Sequence, residues 1–397
     1  MKDVSLRFSP PNRRTTGMND LFLEPLDVLY LRGNKLFDGA GAHGEALMPP
    51  WPSLAAGAIR SRMLADAGAD LRTFANNEPL ADPALHQILG TPDTPGSFRI
   101  ASFTLARRTD GKIDPCYPLP ADVVVTEDDA SDAAYLAPRE PPPGLRSGYP
   151  LSRLPALSSD GPAKPKGGLW LNQAGWKAYL RRDSLRKEHF VPSSELWKHD
   201  PRLGISLEPG RAVAAEGLLY TAETVALCGG VGFLVRVAGA DGRLPAEGLL
   251  RLGGDGRAAA VRPVDVEWPE PDWNAIIRDR RFRLVLASPG LFEDGWRLPG
   301  TDGNNRWRGP GGCSARLVSA AVSRNTVVSG WDLARRQPKP ALRAVPVGSV
   351  YWLDQFEGPV EALRELAKEG LEIAQHQARR SRWAEGFNLI HIAAWPA

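Results

Sequence analysis

The alternation of apolar and polar positions predicts a strand, a glycine loop and a helix near the beginning of the chain. Residues 21–31 (LFLEPLDVLYL) are largely apolar and break at 32–34 (RGN), which is typical of a strand followed by a turn. After a glycine loop, apolar residues recur at helical spacing over 54–63, and Ser53 is placed to cap the first turn. Residues 98–105 alternate as a second strand.

The rest of the chain is predicted to contain many strands and few helices. Short helices are expected at 173–185 and 245–252, a longer helix at 360–379, and a mobile glycine-rich loop at 295–312. Because no helix separates every pair of strands, the pattern favours an α+β fold over a doubly wound parallel sheet. The further predicted strands are 204–207, 218–226, 231–237, 258–266, 282–287, 315–322, 327–331, 344–352 and 388–395.

The pattern divides the chain into a loose amino-terminal extension and two α+β domains. The extension covers residues 1–19, the first domain covers 20–265, and the second covers 275–397, after the proline-bearing boundary WPEPDW. Residues 107–199 carry an acidic patch and three consecutive prolines, so we interpret them as a large insertion in the first domain. The length of 397 residues allows two domains of this size.

Charge changes this picture, because the basic residues are mostly arginine and are unevenly distributed. The chain holds 39 Arg and 10 Lys, with a formal net charge of only +3. Residues 278–343 contain twelve Arg and one Lys against five acidic residues, an excess of about +8. Arginine binds phosphate with a planar fork and stacks on flat rings, although a GC-rich genome would also favour it. A polyanion-binding surface is one explanation of this excess.

The cysteines and the apolar runs exclude several classes of protein. Cys116, Cys228 and Cys313 are far apart and form no C-x-x-C, so neither a disulfide framework nor a structural zinc site is expected. The chain begins without an apolar signal segment, and no apolar run approaches the ~18–20 residues that a membrane span needs. We therefore expect a cytoplasmic protein without a membrane partner.

The motif 39–44 (GAGAHG) matches the dinucleotide-binding fingerprint G-x-G-x-x-G literally. In that site the glycines lead directly into a helix amino terminus, whereas here residues 48–52 (MPPWP) intervene. No acidic residue ends a second strand about twenty residues later. A nicotinamide-dependent oxidoreductase is therefore a weak alternative, and no cofactor is predicted.

The sequence also lacks the motifs of common enzymes. It contains no Walker loop, no G-x-S-x-G nucleophile elbow, no H-E-x-x-H and no zinc-deaminase signature. The six histidines have no spacing suited to metal binding. His43 alone lies in a glycine loop beside a basic helix, where it could act as a general base on a ribose hydroxyl.

The glycine loops and the Arg–Trp pairs point instead to a surface for RNA. Backbone N–H groups of glycine loops cradle phosphate, and single-stranded RNA is held by Arg contacts together with bases stacked on rings. For any one of these residues, a solvated charge or a buried ring is an equally ordinary explanation. The candidate RNA-binding residues are Gly39, Gly41, His43, Arg60, Arg62, Lys164, Lys166, Arg211, Gly253, Gly254, Arg257, Arg306, Trp307, Arg308, Arg324, Trp331, Lys339 and Arg343.

The segments LEPLDVL (23–29), LGGDGR (252–257) and VPVGSVYW (345–352) belong to an ordered set that resembles the RAMP subunit of type III-B (Cmr) CRISPR effector complexes that binds the 5′ handle of the guide RNA. No single segment is decisive, but the ordered set spans roughly residues 21–395. The segments are LEPLDVL (23–29), FDGAG (37–41), PSLAAGAIR (52–60), GLWL (168–171), RLGI (202–205), EGLLY (216–220), LGGDGR (252–257), SGWDL (329–333), PKP (338–340), VPVGSVYW (345–352) and GFN (386–388).

This resemblance implies two ferredoxin-like (RRM-like) domains and a subunit that holds guide RNA without catalysis. It further implies contacts with the large polymerase-like Cmr subunit and with the backbone RAMP subunit. The amino-terminal extension, the acidic insertion and the 295–312 loop have no obvious counterpart in the family. An alternative within the same superfamily is a metal-independent endoribonuclease that processes CRISPR RNA with His43 as base and Arg60 stabilising the phosphate.

Overall fold

Apolar strands pair into two antiparallel sheets in the computed structural model of the chain. The structure describes residues 17–33, 43–126, 133–158, 164–207, 213–240, 242–371 and 377–395. Within these residues the fold is α+β, as the hydrophobic pattern predicts.

The strands are numbered in chain order. They are β1 (Met18–Pro25), β2 (His43–Gly44), β3 (Arg99–Thr109), β4 (Lys112–Pro118), β5 (Val123–Val124), β6 (Ala134–Tyr135), β7 (Ala137–Arg139), β8 (Leu154–Ala156), β9 (Leu169–Leu171), β10 (Phe190–Pro192), β11 (Trp197–Leu207), β12 (Ala214–Leu227), β13 (Val231–Ala238), β14 (Gly248–Arg251), β15 (Ala258–Val264), β16 (Phe282–Leu286), β17 (Arg306–Arg308), β18 (Ser314–Ala321), β19 (Thr326–Val328), β20 (Trp331–Asp332), β21 (Gln337–Pro338), β22 (Leu342–Ala344), β23 (Val350–Glu357) and β24 (Ile390–Ala394).

The helices are fewer and mostly short. They are α1 (Ser53–Asp66), α2 (Leu71–Ala75), α3 (Pro83–Leu89), α4 (Gln173–Arg181), α5 (Trp273–Asp279), α6 (Val360–Glu369) and α7 (Gln377–Ala384), with single 3₁₀ turns at Lys187–His189, Ser193–Glu195 and Pro310–Gly312.

The first sheet has eight strands in the order β10-β9-β4-β3-β13-β1-β15-β14. Helix α1 packs against it and buries Ile59 and Met63 beside Phe98, Phe233 and Val235. Complete burial of such side chains stabilises a core by about 1.5–3 kcal/mol each. A separate hairpin, β11 with β12, extends from this part of the chain, and β2 pairs with β12 in parallel.

The second sheet has five strands in the order β17-β18-β23-β16-β24. Every residue of β16 is buried, because both faces of this sheet are covered. One face packs on α6 through Phe282, Leu284 and Leu363. The other face, which includes Val285 and Trp352, packs on aromatic residues from the 107–199 region.

The predicted insertion, residues 107–199, contributes regular structure to both sheets. Strands β4, β9 and β10 extend the first sheet, and α4 lies against β24 of the second. Asn172 caps α4 by accepting a 2.8 Å hydrogen bond from the Gly175 N–H. On the buried face of α4, the Trp176 ring stacks on Tyr117 at 4.6 Å between centroids. This segment therefore joins the two sheets through a shared apolar core.

A fully buried network of Asp122, Tyr179 and Arg283, called here the buried network, joins the same elements. The Arg283 guanidinium lies 2.7 Å from the Asp122 carboxylate, and it donates hydrogen bonds to the backbone carbonyls of Tyr179 (2.8 Å) and Ala394 (3.0 Å). The Tyr179 hydroxyl donates to the other Asp122 oxygen at 2.8 Å. Each guanidinium nitrogen of Arg283 therefore has an acceptor, as a buried charge requires.

Several local predictions differ from the structure, including the helix predicted at 360–379, which ends at Glu369 as α6. Residues 245–252 contain strand β14 rather than a helix, because pairing with β15 overrides the weak local preference of this short segment. Ser53 is the first residue of α1 rather than its cap; Pro52 holds the cap position without a side-chain hydrogen bond. The strands predicted at 98–105, 231–237 and 282–287 are confirmed as β3, β13 and β16.

The glycine-rich segment 295–312 was expected to be a mobile loop, but it forms part of the second core. It contains β17, and its Leu298 and Trp307 side chains are buried against Phe282. A Cβ atom on Gly309 would lie 2.3 Å from the Trp307 ring. At this position, glycine allows the backbone to pass closely over a large ring.

Candidate nucleic-acid interface

A two-stranded arm, defined as residues 326–344, extends from the second sheet towards the first. Strand β19 pairs with β22, and β20 pairs with β21 beyond a short break. At the break, the Lys339 N–H donates to the Gly330 carbonyl at 2.8 Å, which keeps the two halves in one hairpin. At the tip, the Asp332 carboxylate accepts a hydrogen bond from the Arg335 N–H at 3.0 Å, as in an Asx turn.

The surface of the arm combines exposed apolar groups with unpaired cations. Trp331 is 56% exposed and Leu333 is 75% exposed, both high values for large apolar side chains. Arg336 and Arg343 are exposed and form no ion pair within the described residues, and the same holds for Arg324 just before the arm. Exposed rings beside free guanidinium groups are the features that bind bases and phosphates of single-stranded RNA.

A cleft of about 190 Å³ opens at the base of the arm, between the two sheets. Thr326 and Val327 of the arm form one side, and residues 103–105 of β3 form another. Trp51, from the segment before α1, and Trp170 of β9 supply aromatic surface. The lining is predominantly apolar, so the cleft suits a flat ring better than a charged group.

Ion pairs attach the arm to the loop between α3 and β3 and to the chain carboxyl-terminal to α7. Arg335 binds Asp93 through two contacts of 2.5 and 2.7 Å. Lys339 pairs with Glu385, which also accepts a hydrogen bond from Arg382 at 3.2 Å. Arg99 of β3 pairs with Glu369 of α6 at 2.7 Å in a further contact between the two sheets. This side of the molecule is therefore joined by charged contacts, of which Arg335–Asp93 is exposed and Arg382–Glu385 is largely buried.

Arg60 of α1 lies near Glu385. Its guanidinium stacks on the Phe98 ring at 5.0 Å, and its Nε and Nη2 atoms are buried without a hydrogen-bond acceptor. Burial lowers the pKa of the Arg60 guanidinium, and the charge of Glu385 acts in the opposite direction. The residue as a whole keeps part of its surface exposed to solvent.

The predicted glycine turn of Gly253 and Gly254, which joins β14 to β15, packs against Tyr30 rather than against the arm. Gly253 has a φ of +79° and passes close to the Tyr30 carbonyl, and the Gly254 N–H donates to that carbonyl at 2.9 Å. Arg257 contacts Asp27 at 2.6 Å and Asp255 at 3.4 Å. Two carboxylates thus compensate the one cation of this turn, so its fit for phosphate is weaker than the sequence suggests.

Other predicted residues have structural contacts. Arg62 bonds Asp66 at 2.5 Å and also donates to the Leu249 carbonyl, which links α1 to β14. Arg306 contacts Glu357 at 2.5 Å, whereas Arg308 is exposed. Trp307 is 0% exposed, and its indole N–H donates to the Pro299 carbonyl at 3.1 Å. A ring without accessible surface cannot stack on a base, so we leave Trp307 out of the RNA surface.

The remaining predicted residues are not brought to the arm. Lys164 and Lys166 are exposed on the 107–199 region. The backbone of His43 lies in β2, but its side chain is outside the described part of the chain. Gly39, Gly41 and Arg211 also lie outside the described residues.

The structure therefore gathers five of the predicted residues around the arm and its attachment. These are Arg60, Arg324, Trp331, Lys339 and Arg343. Sequence analysis missed Asp93, Arg382 and Glu385, which complete the attachment. Arg382 beside Trp383 was a visible signal, but nothing in the sequence connects 382–385 with a helix more than three hundred residues earlier.

The described residues contain no group of three or more His, Cys, Asp or Glu side chains that could hold a metal ion. Among the same residues, none of the helices has the length and apolar character needed to cross a membrane.

Comparison with solved structures defines the class of protein to which this fold belongs. Two similar chains come from cryo-EM structures of the type III-B Cmr-beta complex, one bound to cognate target RNA and AMPPnP and one bound to cognate target RNA. The TM-scores are 0.51 and 0.50, each at 15% sequence identity. The matches cover 94% of this chain and 95% or 96% of the others. The chain therefore shares its fold with chains of a type III-B Cmr-beta complex.

The chain belongs to the Cas_Cmr3 family of CRISPR-associated proteins, whose family model matches residues 21–395. Comparison with curated proteins gives no match. The family assignment agrees with the resemblance found in the sequence, and together with the shared fold it supports a subunit of a type III-B Cmr complex.

Proposed function

We propose that this chain is a non-catalytic RNA-binding subunit that anchors the 5′ handle of the guide RNA in a type III-B Cmr ribonucleoprotein of the cytoplasm. The observation that carries the proposal is the arm, where the exposed Trp331 ring lies in one hairpin with the unpaired Arg343. Membership of the Cas_Cmr3 family supplies the CRISPR context.

The proposed binding mode separates the RNA backbone from the bases. Arg324, Arg336 and Arg343 contact phosphates, which position the strand without selecting a sequence. One base stacks on Trp331, and a neighbouring base enters the cleft beside Trp51. The other residues predicted from the sequence remain predictions, with Arg257 and Arg306 weakened by their carboxylate partners.

The proposal includes two ferredoxin-like domains, with bounds at 20–265 and 275–397. The order β15-β1-β13-β3 in the first sheet and β24-β16-β23-β18 in the second supports it, because both place the first and third strands of a split β-α-β unit at the centre. Helix α1 follows the first strand of one unit, and α6 precedes the last strand of the other.

The proposed protein partners are the large polymerase-like subunit and the backbone RAMP subunit. Strand β11 lies at the edge of its sheet and exposes 74% of Leu203 and 51% of Ile205. A long edge strand with exposed apolar side chains is a surface that soluble proteins usually protect, and a neighbouring subunit would cover it.

The experiment is purification of the tagged chain from its own host at moderate salt, followed by sequencing of the RNA that accompanies it. We expect short RNAs that share one repeat-derived 5′ end, and we expect their yield to fall in the Trp331→Ala, Arg343→Gln double variant. The matched control is Arg139→Gln, which removes an exposed cation from β7. A heterogeneous RNA pool, or none, would overturn the proposal.

A separate experiment tests the alternative that this chain is a metal-independent endoribonuclease. RNA incubated with the purified chain in EDTA should remain intact. Cleavage that disappears in a His43→Ala variant would establish the RAMP endoribonuclease instead.

A further inference from the structure

Two cationic side chains, Lys339 and Arg382, bind the Glu385 carboxylate where the arm meets the chain after α7, and Arg60 of α1 lies close enough for the Glu385 charge to act on it. The Glu385 cluster, defined as Arg60, Lys339, Arg382 and Glu385, has little solvent exposure: 27% for Lys339, 6% for Arg382 and 7% for Glu385. Glu385 uses one carboxylate oxygen for Lys339 and the other for Arg382. Neither oxygen is bonded to Arg60, whose Nε and Nη2 stay without acceptors.

The neighbouring charges do not compensate this excess. Asp93 and Asp332 both contact Arg335, at 2.5 and 3.1 Å, and they leave no carboxylate for Arg60. Glu369 contacts Arg99 at 2.7 Å. The Glu385 cluster taken together with Arg335 and its two carboxylate partners holds four cations and three anions. The cation without a partner is Arg60.

Buried guanidinium nitrogens without acceptors are costly, because their N–H groups lose water and gain nothing in return. Buried orphan donors of this kind therefore call for an explanation such as an absent ion. A tetrahedral oxyanion such as phosphate supplies several acceptors at once, and its negative charge compensates the positive charge of Arg60. Arginine is also the residue best suited to such a ligand.

We propose that Arg60, Lys339 and Arg382 form an oxyanion-binding site, in which the Glu385 carboxylate holds the position that a phosphate group takes on binding. The source of the phosphate is either the RNA backbone or free inorganic phosphate, and only the first source rests on the proposed function. The partly exposed Arg60 provides the entry, and displacement of Glu385 frees donors of Lys339 and Arg382 for the ligand.

The first test measures the thermal unfolding midpoint in inorganic phosphate against chloride at equal ionic strength. A ligand that binds only the folded state raises the midpoint according to its affinity. We expect the Glu385→Gln variant to bind phosphate at least about tenfold more tightly than the unaltered chain, because the competing carboxylate is gone. The control is Glu24→Gln, which also removes a carboxylate between two arginines, Arg108 and Arg262. Equal responses of the two variants, or none in either, would overturn the site.

A second variant keeps the test decisive if Glu385→Gln does not fold. Arg60→Gln removes a buried charge that has no acceptor, so we expect a folded chain with unchanged or higher stability in chloride. The same variant should lose the phosphate response. A persisting phosphate response would overturn the site, and so would a marked loss of stability in chloride, which would mean that Arg60 is a purely structural residue.

The source of the phosphate is resolved with a short single-stranded RNA. If the RNA backbone is the ligand, Arg60→Gln lowers the salt dependence of RNA binding by about one phosphate contact, a slope change of ~0.7. A phosphate response with an unchanged RNA slope assigns the site to free phosphate and supports the oxyanion site alone. If the chain binds no RNA while Glu385→Gln still responds to phosphate, the proposed function fails and the oxyanion site stands.

Discussion

The two sheets are joined at two places by contacts between arginine and carboxylate groups, the buried network and the Glu385 cluster, which differ in burial and in hydrogen bonding. In the buried network, Arg283 and Asp122 are both 0% exposed, and every guanidinium nitrogen has an acceptor. In the Glu385 cluster, two cations share one carboxylate, and two nitrogens of the third cation, Arg60, have no acceptor. Arg283 is thus completely satisfied, although the neighbouring Arg182, 3.7 Å from Asp122, has a buried Nη1 without an acceptor, whereas Arg60 lacks acceptors at two nitrogens.

The surrounding groups strengthen this contrast. The buried network lies against packed rings, with Trp176 5.1 Å from Tyr179 and His391 4.9 Å from Trp176. The arm exposes its ring, Trp331, to solvent. The buried network therefore joins the two sheets through a packed core, and the proposed ligand surface lies on the side of the arm.

The largest expected effect is a loss of stability when the buried network is disrupted. Asp122→Ala leaves Arg283 fully buried without its counter-charge, and loss of one partner of a buried ion pair costs about 3–5 kcal/mol. The measurement is the free energy of unfolding in urea. The control, Asp93→Ala, removes the partly exposed partner of Arg335 and should cost no more than about 1 kcal/mol. Equal losses in both variants would remove the distinction between the two sides.

The next effect belongs to the arm. Trp331→Ala should reduce affinity for single-stranded RNA by about 1–3 kcal/mol, roughly 5- to 150-fold, and leave stability within about 0.5 kcal/mol. Fluorescence anisotropy with a labelled RNA measures the affinity. Leu333→Ala is the control, since it removes an exposed apolar group from the same arm without removing a ring. A similar loss of affinity in this control would mean that stacking on Trp331 is not the basis of binding.

A smaller effect is the pH dependence of stability that arises from His391, which packs beside the buried network. Burial lowers the pKa of His391 to about 4, against about 6.5 in the unfolded chain. Between pH 7 and pH 5 the unfolded chain takes up a proton at this residue and the folded chain does not. Acidification therefore removes about 2 kcal/mol of stability. Urea unfolding at the two pH values should show a shallower dependence in His391→Gln, and an unchanged dependence would contradict the assignment.

The smallest expected effect is a change in the salt dependence of RNA binding by the arm. Arg343→Gln should lower the slope of log affinity against log salt by ~0.7, the value for one phosphate contact with a single strand. Anisotropy titrations over a series of salt concentrations give this slope. Arg139→Gln removes a similarly exposed cation outside the arm and should leave the slope unaltered. The same slope change in both variants would point to a diffuse charge effect.

Local pattern was sufficient for the α+β class and for strands such as β3 and β16, because a hydrophobic period or an apolar run survives in any context. It failed at β14, where only the neighbouring strand decides the conformation. It also failed for 295–312, because glycine permits both mobility and close packing, and the position of Trp307 decides between them.

The candidate site was predictable only in part for a similar reason. An excess of arginine over residues 278–343 is visible in the sequence and draws attention to a region in which Arg324, Trp331 and Arg343 are exposed. The same excess contains Arg283, the most completely buried of these arginines, whose partner Asp122 lies in the acidic, proline-rich region. Whether an arginine faces solvent or a carboxylate depends on contacts between residues far apart in the chain.

The buried network also bears on how the chain is synthesised and how it can be divided. Tyr179 leaves the ribosome about 100 residues before Arg283, and Asp122 about 160 residues before it. The first sheet is therefore complete in sequence while the aromatic residues of the 107–199 region still await the second sheet. A fragment that ends before α5 would carry Trp176 and Tyr179 without the strands that bury them, and Asp122 without its cation. Expression of either half alone should therefore yield insoluble or chaperone-bound material, and truncation is a poor route to mapping the functions of the two sheets.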